Sequence, residues 1–135
     1  MDYAKEEYFV KNFIVKDRRE RLLYELTTPK KRYDGLDRFC HQAKGLLDPS
    51  KIFMEGVYLE YDRDFERFVK QHPEDCLVLS PAFYDDGQMS PLKEAVSFAR
   101  EFPDAVILIG DGYSIVFTEP MKGGREKYLL TENGK

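Results

Sequence analysis

Asp104 to Leu130 reads DAVILIGDGYSIVFTEPMKGGREKYLL and contains the densest apolar runs of the chain, Ala105 to Ile109 and Ile115 to Phe117. Short runs rich in β-branched and aromatic residues, bounded by turn formers, predict buried strands. Gly110-Asp111-Gly112 separates the two runs. An Asp-Gly pair supplies the positive φ angles of a tight hairpin, so the runs are expected to pair antiparallel across Asp111-Gly112. Farther on, Pro120 cannot continue a hydrogen-bonded ladder and Gly123-Gly124 can reverse the chain. Lys127 to Thr131 is therefore expected to return as a third strand.

Upstream, Leu92, Ala95, Val96, Phe98 and Ala99 recur at helical spacing, after Ser90-Pro91 as cap and first residue and before Pro103 as stop. Cys76 to Ser80 reads as another buried strand. The order strand, helix, strand predicts a crossover that sets Cys76–Ser80 parallel to Ala105–Ile109. The expected architecture is α+β: a helical N-terminal half packed on a mixed four-stranded sheet, one βαβ crossover followed by an antiparallel meander. Three helices are expected in that half, over residues 3–15, over 17–27 with Asp17 as N-cap, and from Thr28-Pro29 to about Lys44. Asp62 to His72 predicts a short amphipathic helix stopped by Pro73. Ile52 to Tyr61 is compatible with either a strand or an irregular connection, because Gly56 interrupts the alternation of Val57, Leu59 and Tyr61.

A chain of 135 residues fits one domain over 1–135 and can bury a core without staples. Its 42% of apolar residues is slightly low and its 34% of charged residues high, but neither approaches the composition of a disordered chain. The N-terminus is acidic where a secretion signal would be basic, and no apolar run approaches a membrane span. A soluble, cytoplasmic protein is expected, with Cys40 and Cys76 reduced and acting as small core residues rather than forming a disulfide framework. The net charge of −4 is uneven: residues 1–52 carry 12 basic and 9 acidic side chains, and residues 53–135 carry 9 and 16. That asymmetry fits attraction between the two halves of one domain, an anionic partner, or a self-complementary dimer.

Three places invite a chemical reading. In the parallel arrangement the loop after Ser80 and the turn after Ile109 share one sheet edge, where Asp85, Asp86 and Asp111 would converge as acid, base or Mg²⁺ ligands. Asp-Gly is also an ordinary turn sequence. Next, Thr28-Pro29 opens a helix whose first turn carries Lys30, Lys31 and Arg32, against the preference of a positive helix end for acids. With Arg38 nearby, this start could hold a phosphate or a partner's carboxylates, unless the acidic half compensates it internally. Finally, Cys40, His41, His72 and Cys76 have a zinc-finger count without its spacing, and no metal or cofactor is assigned. No P-loop, dinucleotide fingerprint or serine-hydrolase elbow is present. The leading expectation is a non-enzymatic interaction or regulatory module acting on a protein partner or on itself. A carboxylate enzyme at the Asp85/Asp86/Asp111 edge and an anion binder at Lys30 to Arg38 are the alternatives. A small anionic ligand suits the last of these, nucleic acid is disfavoured by the acidic pI of about 5.3, and no membrane contact is expected.

Overall fold

In the computed structural model the described residues are 3–57, 62–81, 86–102, 104–118 and 126–135. They include six strands: β1 (Ile52–Val57), β2 (Asp75–Leu79), β3 (Gln88–Pro91), β4 (Val106–Ile109), β5 (Tyr113–Phe117) and β6 (Glu126–Thr131). These form one sheet in the order β1-β6-β5-β4-β2-β3, with every neighbouring pair antiparallel. The class is α+β as expected, but the mixed four-stranded sheet is replaced by an antiparallel one of six strands. Five α-helices accompany it among the described residues: α1 (Ala4–Phe13), α2 (Arg19–Leu26), α3 (Pro29–Leu46), α4 (Arg63–Gln71) and α5 (Leu92–Glu101). The helical part thus ends at Leu46, and β1 already lies within the N-terminal half.

The missing strand explains the topological difference. Gln88 to Pro91 looked like loop and helix cap, yet it forms β3, pairing Val78 with Gln88 and Cys76 with Ser90. The chain has therefore reversed once before it enters α5. Since β2 is antiparallel to both β3 and β4, these two run parallel on either side of it. The crossover helix is real, but it joins β3 to β4 across the intervening β2, a split βαβ unit.

Both faces of the sheet are covered, and strand periodicity decides which side chain goes where. Leu77, Leu79, Ile107 and Ile109 pack against Phe9, Phe13, Leu26 and Phe39 of α1–α3. The alternate residues Cys76, Val78, Val106 and Leu108 pack against Phe65 of α4 and Leu92 and Val96 of α5. A strand buried on both faces reads as a continuous apolar run, a pattern usually associated with parallel sheets. Here it arises in antiparallel strands because helices lie on both sides.

Local rules hold at several element ends. Asp62 caps α4, accepting from the backbone N–H groups of Asp64 and Phe65. Asp17 does not cap α2; it lies inside a 3₁₀ turn, Lys16–Arg18, that leads into the helix. In the β4–β5 turn Gly112 alone takes the left-handed conformation, at φ +83°, so Asp111 needs no positive φ. Ile52 to Val57 resolves as an edge strand on β6, while residues 58–61 fall outside the described set. The reversing residues Pro120 and Gly123-Gly124 and the stop at Pro103 also fall outside it. Gly35 sits where α2 and α3 cross closely: a Cβ there would lie 2.8 Å from Cβ of Glu25.

Candidate functional site

Thr28 occupies the N-cap position of α3 with extended backbone, and its side chain makes no capping hydrogen bond. Lys30 and Lys31 follow on the exposed side. Arg32, one residue on, turns into the protein and is buried. Its Nε donates to Asp86 Oδ2 at 2.5 Å and its Nη2 to Asp86 Oδ1 at 2.8 Å, a bidentate fork. Nη2 also reaches Glu6 Oε1 at 2.5 Å, and Nη1 donates to the Leu26 carbonyl at 2.8 Å. Asp86 Oδ1 accepts in addition from the Ser80 backbone N–H at 3.3 Å. One guanidinium therefore fastens α1, the end of α2, the start of α3 and the segment entering β3.

The electrostatics of this cluster are uneven. Glu6 has no exposed surface, and among the described residues its Oε2 has no hydrogen-bond partner. Burial raises its pKa above the usual carboxyl value, against the opposing effect of Arg32. Burial also disfavours the charged guanidinium, but its hydrogen bonds to Asp86 and Glu6 outweigh that and hold Arg32 firmly protonated.

Of the residues expected to bind an external anion, two are thus engaged internally. Besides Arg32, Arg38 forks onto Glu25 of α2, with Nη1 2.6 Å from Oε2 and Nη2 on Oε1. Arg21 approaches the same carboxylate at 3.6 Å. Thr28, Lys30 and Lys31 remain at the helix start.

The acidic edge is not brought together as the parallel topology required. Leu79 pairs with Ile107 and Leu77 with Ile109. Asp86, bonded at Ser80, and Asp111, beyond Ile109, therefore lie at opposite ends of β2, about 16 Å apart at the usual rise per residue. The Asp111 side chain is 96% exposed and 3.7 Å from Lys5. Asp85 lies outside the described residues. Ser90 Oγ donates to the Pro91 carbonyl.

Cys40 and Cys76 are both buried. Burial pushes the Cys76 thiol up to about 12, the opposite of an activated nucleophile. His41 lies 3.6 Å from Asp37, and His72 stacks on Phe68 with ring centroids 4.0 Å apart. Among the described residues no group of three His, Cys, Asp or Glu side chains could hold a metal, and no helix is long and apolar enough to cross a membrane.

Glu6 was overlooked, although its signal was present. Glu6, Phe9, Val10 and Phe13 follow the i, i+3, i+4, i+7 pattern, and Arg32, Leu36, Phe39 and Ala43 trace a similar stripe on α3. A lone acid on one apolar face and a lone base on another predict a buried pair. No family model matches this chain, and neither does any curated protein or solved structure.

Proposed function

We propose that the protein is a non-enzymatic interaction module that engages an acidic protein surface through the hairpin of α2 and α3. The observation that carries this reading is the exposure of Tyr24 and Tyr33, 59% and 62% respectively, on the hairpin that also presents Lys30 and Lys31. Tyrosine and positive charge together suit a docking face: the ring provides contact area at low entropic cost, and the cations steer an acidic partner into place. The internal pairing of Arg32 with Asp86 and Glu6 supports the same reading from the other side. It commits these charged groups to holding the hairpin in position, while Lys30 and Lys31 stay at the surface.

The test compares wild type with Tyr24→Ala/Tyr33→Ala, using light scattering for self-association and affinity capture followed by measured binding of the captured partner. A partner, or a second copy, that binds wild type and is weakened at least about tenfold by the double change supports the reading. Equal binding by both proteins, or a monomer with no partner in either, overturns it.

A further inference from the structure

At the far end of α3 from that hairpin, Gln42 leaves helical geometry, with φ −125° and ψ 15°. A cavity of about 630 Å³ opens at this kink, between the helix, the turn before α2 and the paired ends of β5 and β6. Its floor is apolar, provided by the buried residues Cys40, Ala43 and Leu46, and its rim carries Arg18, Lys44 and Glu126. A second cavity of about 170 Å³ adjoins it through Arg18, Gln42 and Leu46 and adds Arg21 and Arg38 to the wall. Glu25 faces Arg21 and Arg38 from behind. Among the described residues, the four cations and these two carboxylates leave the paired cavities at about +2, in a chain whose net charge is −4. Among the described residues neither Arg18 nor Lys44 makes an ion pair, whereas Arg32 and Arg38 do.

The geometry points to a binding site for a small organic anion, a carboxylate or phosphate head on an apolar body, in the cleft at the α3 kink. The volume lies within the range of small-molecule sites, and an apolar floor with a few convergent polar groups is their usual composition. Arg18 and Lys44 would take the anionic head, for which a cleft of net positive charge concentrates ligand. Cys40, Ala43 and Leu46 would take the body, and Glu126, which lines a neighbouring cleft together with Lys44, would accept a hydrogen bond from a ligand N–H or O–H.

Gly45 provides a way to close the cleft without harming the fold. It lines the cavity, and a Cβ built on it meets nothing within 4 Å. Leucine is also the better helix former, so Gly45→Leu should fill space in the cleft and leave the helix intact. The experiment titrates ¹⁵N-labelled protein with 1-naphthoate, 1-naphthyl phosphate and the neutral 1-naphthamide, following the amides of residues 42–46. At least one anion should bind with shifts confined to the cleft, and the amide should bind at least about tenfold more weakly. Arg18→Glu/Lys44→Glu and Gly45→Leu should each weaken the bound anion by a similar factor while retaining the wild-type melting transition. Lys30→Glu/Lys31→Glu, at the other end of α3, should bind as wild type does. No binding of either anion, equal binding of the amide, or anion binding that survives both cleft variants overturns the proposal. A preference between naphthoate and naphthyl phosphate tells which head group the cleft takes.

Discussion

Arg32 and Glu6 carry the sharpest consequences of single side chains. Removing the base from a buried cluster leaves uncompensated carboxylates, so Arg32→Met should cost roughly 3–5 kcal/mol in urea unfolding. Removing the acid is different, because Glu6 is wholly buried and one of its oxygens has no partner among the described residues. Glu6→Gln should match or exceed wild-type stability at neutral pH. The sign of its pH dependence follows from linkage. Burial raises the folded-state pKa of Glu6 above its unfolded value. The stability tied to its neutral form is therefore fully present below the unfolded pKa and is lost as pH rises through the folded one. Wild type should accordingly fall further behind Glu6→Gln as pH rises from acid to neutral. Unfolding midpoints for both proteins across that interval check this; a constant gap would mean that Glu6 binds protons equally in the folded and unfolded states.

At the scale of elements, the start of α3 combines two arrangements that its sequence does not distinguish. Lys30, Lys31 and Arg32 are consecutive cations in one helical turn, yet only Arg32 finds buried acids. Lys30 and Lys31 keep an unfavourable position at a positive helix end. Lys30→Glu/Lys31→Glu should therefore raise stability by about 0.3–1 kcal/mol per site at low salt and lose that gain as salt screens it. Chemical denaturation at two ionic strengths measures it, and a loss of stability would place the lysines in pairs that hold the fold. β3 shows the limit of local reading from another direction. Gln-Met-Ser-Pro has no apolar alternation, because it is an edge strand with mostly exposed side chains, and its backbone pairing with β2 makes it a strand.

For the molecule as a whole, one sheet serves two cores, and β4 belongs to both. Ile107 faces α1–α3 and Leu108 faces α4 and α5. Ile107→Ala and Leu108→Ala should each cost about 2–5 kcal/mol and each lower a single transition, since neither helical layer can bury its apolar face without the sheet. Circular dichroism and tyrosine fluorescence should coincide; separate transitions would show the layers melting independently. The α+β class, the helices over much of 4–46, the short helix after Asp62, strands β2, β4, β5 and β6 and the β4–β5 hairpin were legible in the chain, because each follows from local periodicity and turn chemistry. Strand direction was not legible, since a doubly buried run looks the same parallel or antiparallel and the reversal rests on four residues without a pattern. Nor could the chain say that Asp86 would face Arg32 rather than Asp111. Local order selects which elements form, whereas the pairing of charges 54 residues apart depends on how the sheet brings its edges past the helices, and only the tertiary structure decided that.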